Sequence, residues 1–476
     1  MDSPADRDRA LFHEILVKYA SSATQHEALA ESLANLTKID AQIDELLATR
    51  DLERARVAVL KHATSALRQF PAEILLQIFS LAKDDADSIF GPANPHHQTV
   101  IRLASVCVQW RHTANAAAEL WGGKITLPAT KTSSSYVTLT KKILRRSSPH
   151  PLHIVLRGEY YSPPINPDIV KAVLAVADRW QKIKIDFDIR PWLKGVLPPR
   201  DKLEAVTIDL SSSSPGPMFS MFLPAPRLTD LNVTVRACSP DLMRMLSQCA
   251  GLRKLELSLE LWTADDLPLR SMLMTLACLE ELDLSFSGLD KPAATAAPFF
   301  ASFVFPKLHK VQVSFYDEDA EDEHGDFDDT FVQFLRRCPA VASLYIGRSS
   351  MDDITLDRIL FSVPALESLT LFLCWECIGH LFFHRLTYRP ADPAPFLPRL
   401  RSINLSFIGG YPLKDAKTMI LSRWWSDAEL ARLSVTPPVE RLHTVCIAVT
   451  EDGHENRLPE KLFNRLSGEG LEIWVC

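Results

Sequence analysis

The sequence predicts a mixed α/β protein in three parts: a long N-terminal helix, a small all-helical module and a repeat domain of short parallel strands. Three observations predict this fold. Residues 26–62 contain neither Gly nor Pro, and residues 70–121 hold short amphipathic helical patterns. The remainder repeats one apolar strand motif about every 25 residues. We place the parts at residues 1–66, 67–127 and 128–476.

Composition excludes several functional classes. The 476 residues carry a net charge of −7, whereas binding to nucleic-acid phosphates needs a basic surface. No uninterrupted apolar run is long enough to cross a membrane. Nine scattered cysteines are typical of reduced thiols inside a cell. We therefore expect an intracellular protein, cytoplasmic, nuclear or both, with no nucleic-acid or membrane partner.

The long N-terminal helix has an apolar repeat close to a heptad. Its apolar residues are Leu29, Leu33, Leu36, Ile43 and Leu47. Asp40 occupies the intervening core position, and Arg50 and Arg54 interrupt the pattern further on. One interpretation is a coiled coil that joins two copies into a homodimer. The other is a long helix that folds back onto its own chain or stays in solvent.

The helical module begins at Pro71, which suits the first position of a helix because its φ is fixed and its missing N–H needs no partner. Four apolar residues then form one stripe at helical spacing: Ile74, Leu75, Ile78 and Phe79. A second stripe follows: Val100, Leu103, Cys107, Trp110 and Ala114. Helices this short cannot cover all of their apolar surface, so we expect some of it to bind a partner.

These segments resemble the F-box family. The resemblance is carried by residues 70–79 (Phe-Pro-Ala-Glu-Ile-Leu-Leu-Gln-Ile-Phe), by residues 106–111 (Val-Cys-Val-Gln-Trp-Arg) and by Leu120-Trp121. Phe70 replaces the usual Leu, and residues 83–98 form an insert that we predict to be a surface loop. The resemblance implies a three-helix module that binds a Skp-type adaptor and, through it, a cullin-RING ubiquitin ligase. The implied adaptor-binding residues are Phe70, Pro71, Ile74, Leu75, Ile78, Phe79, Val106, Trp110 and Trp121.

The third part is organised by the repeat apolar-x-x-apolar-x-apolar. Leu203, Val206 and Ile208 form one such unit, and Leu366, Leu369 and Leu371 form another. The spacing fits the leucine-rich-repeat period of about 20–29 residues, with insertions. Each strand presents alternate apolar residues to the interior, and neighbouring repeats bury what one repeat cannot. The repeats resemble the degenerate kind found in F-box proteins, while an ordinary α/β sheet is the alternative. We expect helices within residues 241–246, 330–335 and 356–361.

Two clusters could have carried metal chemistry. Cys374, Cys377, His380 and His384 have zinc-ligand side chains, but their spacing is not that of a zinc finger. We expect them to pack within a repeat and hold no metal. The acidic run from Asp317 to Asp329 lacks the pattern of an EF-hand and is predicted to be a solvated loop, with a docking surface for a basic partner as the alternative.

No motif of nucleophilic, phosphate-binding or metal-dependent catalysis is present. We therefore expect a protein that is not an enzyme and needs no cofactor. The resemblance implies a substrate-recognition subunit of an SCF-type ubiquitin ligase, whose leucine-rich repeats bind a protein substrate of unknown identity. The alternative is a scaffold or protein-interaction repeat protein with no ligase role.

Overall fold

The structure is a computed structural model. It describes residues 4–18, 22–64, 70–89, 97–158, 164–193, 200–210, 219–237, 240–261, 274–287, 292–316, 325–349, 351–374, 376–392, 394–408, 410–431, 437–449 and 460–475. Six helices come first: α1 (Pro4–Lys18), α2 (Ser22–Ala63), α3 (Ala72–Ile89), α4 (His97–Val106), α5 (Val108–Ala116) and α6 (Ala118–Trp121). Between these helices, the described residues of this part form only short connections, such as Phe70 and Pro71 before α3 and Cys107 before α5.

A sheet of 13 strands then dominates the chain. Its strands, in order across the sheet, are β1 (Gly123–Pro128), β2 (Leu152–Arg157), β3 (Trp180–Ile185), β4 (Ala205–Leu210), β5 (Asp230–Ala237), β6 (Lys254–Leu261), β8 (Glu281–Ser287), β10 (Lys310–Tyr316), β11 (Ser343–Gly347), β12 (Ser368–Phe372), β13 (Ser402–Ile408), β14 (Thr444–Val449) and β15 (Glu472–Val475). Two further strands, β7 (Met274–Thr275) and β9 (Phe303–Val304), pair with each other.

Helices alternate with these strands. They are α7 (Ser134–Arg146), α8 (Pro167–Leu174), α9 (Pro240–Gln248), α10 (Pro292–Ser302), α11 (Gly325–Arg336), α12 (Asp353–Phe361), α13 (His380–Leu386), α14 (Leu413–Ser422), α15 (Asp427–Leu430) and α16 (Glu460–Gly468). The three helices expected from the sequence are present as α9, α11 and α12. Buried residues of these helices join the apolar strand residues in one core.

Every neighbouring pair in the large sheet is parallel, which confirms the predicted parallel sheet. The apolar positions of the repeat lie in register: Val206 faces Leu231, and Leu369 faces Ile403. Burial alternates along the strands, as in β4 and β14. In such strands one face is core and the other is more exposed, because successive side chains point to opposite faces. Strand β2 departs from this pattern, since Val155 is buried between Ile154 and Leu156.

The first strand was not predicted. Strand β1 lies across the boundary that we placed between residues 127 and 128, and it pairs with β2 along its whole length, from Gly123 with Leu152 to Pro128 with Arg157. Its inward residues, Ile125 and Leu127, are buried. The sheet therefore starts directly after the helical module.

Two predicted loops are partly helical. The insert at residues 83–98 begins inside α3, which continues to Ile89, and ends in the first turn of α4. Residues 90–96 lie outside the described part. The acidic run ends in α11, which starts at Gly325, and its residues 317–324 are also outside the described part. Acidic residues in a first helical turn are favoured because the N-terminus of a helix carries a partial positive charge.

The predicted N-terminal helix is confirmed as α2, an unbroken helix of 42 residues that is about 63 Å long at 1.5 Å per residue. Its large apolar side chains are exposed by 39% to 69%, and no described residue of α2 is buried. Within the described part of the chain, α2 is therefore exposed to solvent along its length and does not pack on other segments. Among the described residues, no helix combines the length and hydropathy needed to cross a membrane.

Candidate protein-binding surfaces

Helix α3 presents its four predicted stripe residues on two different faces. Leu75 and Phe79 have 0% exposure, whereas Ile74 is 40% and Ile78 is 38% exposed. Successive residues of an α-helix are rotated by about 100°, so two apolar pairs one position apart cannot both point the same way. The expected single stripe is therefore wrong: one pair belongs to the core and the other lies at the surface.

Three of the nine residues implied in adaptor binding are buried within this chain: Leu75, Phe79 and Trp121. The ring of Phe79 packs on Trp110 with centroids 4.9 Å apart. The indole N–H of Trp121 donates to the carbonyl of Ala114 at 2.7 Å. The chain's own packing encloses these three side chains, so they stabilise the module and are not accessible to a partner.

Five of the remaining residues are exposed and one is half-buried. The exposed ones are Phe70, Pro71, Ile74, Ile78 and Val106, and the half-buried one is Trp110. Phe70, Ile74 and Ile78 are spaced four residues apart, and the carbonyl of Pro71 accepts hydrogen bonds from the N–H groups of Ile74 and Leu75, both at 3.1 Å. The helix therefore starts at Ala72, and Pro71 is the residue directly before it and not its first position as expected. We call Phe70, Ile74 and Ile78, together with Leu81, the outer stripe of α3.

Leu81 and two further apolar residues were missed by the sequence reasoning. Leu81 continues the outer stripe at helical spacing, and Ile101 and Val108 are also exposed. The spacing of Leu81 from Ile78 was a usable signal, but the expected motif ended at Phe79. Val108 opens α5 next to Cys107, whose sulfur caps the helix by accepting from the N–H of Trp110 at 3.5 Å. The cap fixes the turn that leaves Val106 and Val108 in solvent.

The second surface is the solvent face of the 13-stranded sheet. The parallel register lines up its side chains in rows that cross the strands: Lys182 faces Ala205, which faces Asp230, which faces Lys254. A row of this kind continues through Glu281, Lys310 and Ser343. Side chains from strands far apart in the sequence thus form one continuous surface.

Charge divides this solvent face into three segments. The first segment, on β1 to β3, is basic: Lys124, Arg157, Lys182 and Lys184. The second, on β4 to β10, is mainly acidic: Asp209, Asp230, Glu256, Glu281 and Asp283. The third, on β11 to β14, carries no charged side chain at its outward strand positions: Ser343, Tyr345, Ser368, Thr370, Ser402, Asn404, Ser406, Thr444 and Cys446.

In the acidic segment, neighbouring groups shift the pKa values of two side chains. The ammonium of Lys254 lies 2.6 Å from the Glu256 carboxylate, and this hydrogen bond raises the pKa of Lys254. Burial raises the pKa of Asp283, and the nearby charge of Glu256 adds to the shift. Lys310 lies 3.9 Å from Glu281. Two lysines, Lys254 and Lys310, against five carboxylates leave the segment with an excess of negative charge.

The uncharged segment ends in an unusual backbone. Arg348, Leu373 and Phe407 follow aligned positions of β11, β12 and β13, and each has a positive φ, 55°, 54° and 54°. The N–H of Arg348 donates to the carbonyl of Phe372 at 2.7 Å, and that of Leu373 to Ser406 at 2.9 Å. This conformation turns the exposed ring of Phe407 toward Phe372, with centroids 5.5 Å apart.

The four residues with metal-ligand side chains are not brought together. Cys374 and Cys377 are buried, whereas the side chain of His380 is 84% exposed and its Nδ1 lies 2.5 Å from Asp415. Helix α13 starts at His380, so Cys377 lies before this helix and His384 lies within it. The hydrogen bond between the two thiols raises the pKa of Cys377. In the described part of the chain, no group of three His, Cys, Asp or Glu residues could hold a metal ion.

Comparison with known proteins gives only distant similarities. No family model and no curated protein matches the chain. Among solved structures, a leucine-rich repeat-containing protein, LegL7, from Legionella pneumophila is 13% identical with a TM-score of 0.34, over 72% of this chain and 98% of that one. A protein from Bacteroides fragilis is 13% identical to this chain with a TM-score of 0.29. The match covers 64% of this chain and 66% of the other, which is just under two thirds of its length. At TM-scores this low, neither similarity assigns a function to the chain.

Proposed function

We propose that this protein is the substrate-recognition subunit of an SCF-type ubiquitin ligase. In this proposal, the module of α3 to α6 binds a Skp-type adaptor and, through it, a cullin-RING ligase. The F-box-like sequence of residues 70–79, 106–111 and 120–121 supports the assignment. The observation that carries it is the outer stripe of α3, which leaves apolar side chains in solvent on a helix whose opposite face is fully packed.

The division of α3 into two faces sharpens which residues would contact the adaptor. Ile74 and Ile78 are one turn apart on the outer stripe, with Phe70 before them and Leu81 after them. Val106 is exposed at the end of α4. Exposed apolar surface of this kind marks interaction sites in soluble proteins. We therefore limit the proposed adaptor contacts to Phe70, Pro71, Ile74, Ile78 and Val106, with Trp110 at the margin.

In the same proposal, the solvent face of the sheet binds the substrate. Its rows of side chains come from 13 neighbouring strands, which gives an extended surface of the type used by repeat proteins for binding. In this proposal, the chain supplies no catalytic group of its own. It acts by holding the substrate near the ubiquitin-loaded enzyme of the ligase, which raises the effective concentration of the two reactants. The proposal places the protein inside the cell.

Titration calorimetry of the full chain against a purified Skp-type adaptor tests the adaptor contact. We expect Ile78→Glu to lower the affinity at least tenfold, which corresponds to about 1.4 kcal/mol or more. The reason is that the introduced carboxylate would be buried without a partner in the complex. Circular dichroism of the variant establishes that it is folded. Adaptor affinity equal to that of the wild type would refute the role of the outer stripe.

A matched control introduces the same single charge elsewhere. Gln333 is exposed on α11, so Gln333→Glu should leave adaptor affinity unchanged. Lys83 is not suitable as a neutral control, although it follows the motif, because its ammonium donates to the carbonyl of Gly122 at 3.1 Å and joins α3 to the start of the sheet. Phe79→Glu is also unsuitable, since a charge at a fully buried position should unfold the module.

The second candidate function is a scaffold that binds the adaptor or other proteins without a ligase role. The three charge segments of the solvent face suit protein binding in either case. Co-purification distinguishes the two functions: a ligase subunit should recover both the adaptor and the cullin, and Ile78→Glu should lose both. Recovery of the adaptor without the cullin would favour the scaffold.

A further inference from the structure

The helix α2 has an apolar face that nothing in the described chain covers. Eleven large apolar side chains of this helix are exposed. A row of them, Leu33, Leu36, Ile43 and Leu47, runs at coiled-coil spacing along the helix, with Asp40 at the core position between Leu36 and Ile43. An isolated helix in water gains little from propensity alone and is normally stabilised by packing of its apolar face. This row therefore needs a partner.

The charges on α2 indicate which partner fits. Residues 22–45 contain five acidic residues and one basic residue, whereas residues 46–63 contain four basic residues and two acidic ones. The helix is therefore negative in its first half and positive in its last third. A second copy of the same helix, laid in the opposite direction, would place each half against its opposite charge. A parallel copy would place like charges together.

Charged residues at core positions of α2 also favour the antiparallel pairing over the parallel one. Asp40, Arg50 and Arg54 occupy core positions of the heptad pattern. In a parallel, in-register dimer, each of them would face its own copy and bury two like charges, which is strongly unfavourable. In an antiparallel dimer, the first core position of one helix packs against the second core position of the other. Asp40 occupies the first core position and Arg50 the second, so the register that places Asp40 opposite Arg50 satisfies this rule.

That register also matches the apolar residues. With Asp40 of one copy facing Arg50 of the other, Leu33 faces Val57 and Ile43 faces Leu47. Each of these layers occurs twice, because the pairing is symmetric about a two-fold axis. In the same register Leu36 faces Arg54, whose guanidinium lies 3.8 Å from Asp51 of its own helix. One register thus pairs Asp40 with Arg50 and brings Ile43 and Leu47 together at the centre.

We propose that α2 pairs with α2 of a second copy of this chain as an antiparallel coiled coil, with Asp40 of each copy facing Arg50 of the other. This proposal does not depend on the proposed ligase function. It predicts a dimer in which the two repeat domains leave the coiled coil at opposite ends.

Reversing the charges tests the pairing. In sedimentation equilibrium of the full chain, Asp40→Lys alone and Arg50→Glu alone should each weaken the dimer at least tenfold, because each creates two like-charge contacts. The double variant Asp40→Lys/Arg50→Glu should regain most of the wild-type affinity. A parallel dimer would not show this recovery, since each residue there faces its own copy. A wild-type chain that stays monomeric at every concentration would overturn the proposal.

Thiol crosslinking gives an independent measure of direction. The chain has no cysteine before Cys107, so Leu33→Cys and Val57→Cys each add one thiol to α2. A mixture of the two variants, one enlarged by a tag, should give a crosslinked heterodimer above the wild-type background. Each variant alone should not crosslink to itself. Self-crosslinking of the single variants would show a parallel dimer and refute the antiparallel pairing, and circular dichroism of each variant checks that α2 remains helical.

Discussion

The helical part of the chain before residue 109 and the chain after it, which contains the sheet, differ in how many of their large apolar side chains are exposed. Of the 25 large apolar side chains that are exposed in the described part of the chain, 21 lie before residue 109 and four lie after it. The sheet buries its repeat residues almost completely, because they pack in one core with residues of neighbouring strands and of the helices. The difference separates a sheet domain that encloses its own apolar side chains from a helical part that leaves many of them exposed.

The largest effect on stability is expected from a substitution that creates a cavity in the core of the sheet domain. Phe300 is fully buried, and its ring centroid lies 4.9 Å from Phe331 and 5.1 Å from Phe334. We expect Phe300→Ala to lower the free energy of unfolding by about 3–5 kcal/mol, because a large cavity forms. Urea denaturation followed by circular dichroism measures it. Phe361→Ala is the control: this ring is 69% exposed, and its removal should change stability by less than about 0.5 kcal/mol.

A second test compares the two faces of α3. Leu75→Ala should destabilise the module by about 2–5 kcal/mol because the side chain is buried. Ile74→Ala, one residue away on the outer stripe, should cost about 0.5 kcal/mol or less. Hydrogen–deuterium exchange of residues 72–121 reports the local opening of the module. Equal effects of the two substitutions would remove the distinction between a packed and a partner-binding face.

Helix capping in the sheet domain provides a smaller effect that depends on pH. The carboxylate of Asp352 accepts from the N–H of Thr355 at 2.7 Å, and hydrogen bonding to Thr355 lowers the pKa of Asp352. At pH 7, Asp352→Ala should cost about 1 kcal/mol. The stabilisation is present above the unfolded pKa and is lost as the pH falls through the lower folded value.

The measurement is urea denaturation of wild type and Asp352→Ala at a series of pH values. The difference between them should shrink below about pH 4. The control, Asp392→Ala, changes an exposed carboxylate in a turn and should show little difference at any pH. A constant difference for Asp352→Ala would mean that the cap contributes through the shape of the residue and not through its charge.

The smallest effect is expected on α2. Leu46 is exposed, so Leu46→Ala should change the unfolding free energy of the sheet domain by less than about 0.5 kcal/mol. Leu257→Ala, at a buried strand position, is the matched change and should cost about 2–5 kcal/mol. A large effect of Leu46→Ala on urea unfolding of the sheet would show that α2 packs against it, and the contrast between the two regions would fail.

The sheet could be predicted because its signal is repeated. Each apolar-x-x-apolar-x-apolar unit is weak alone, but the same pattern recurs with a consistent spacing, and the register of Val206, Leu231 and Leu255 follows from it. Strand β1 was missed because only Ile125 and Leu127 carry its pattern and they directly follow the helical motif. Pairing with β2 makes this segment a strand, and that pairing is not local in sequence.

The candidate surfaces were less predictable than the fold. On α3, apolar residues occupy neighbouring positions, so the sequence could not show which pair faces the core. The ring of Trp110, on another helix, covers Phe79 and thereby decides the orientation. The three charge segments of the sheet could also not be predicted from the sequence. They depend on the strand register, which aligns residues such as Lys182, Asp230 and Ser343 in one row across the sheet.

The uniform parallel register has a consequence for how the chain folds. Most strands pair with the strand that precedes and the strand that follows them in sequence, so the contacts that define the sheet join residues only a few tens of positions apart. Low contact order of this kind is associated with fast folding for a given size. Folding can begin at any adjacent pair of repeats and extend in both directions. We expect the nucleus to form where apolar packing is densest, around the phenylalanine cluster of α10 and α11, and the edge strands β1 and β15 to be added last.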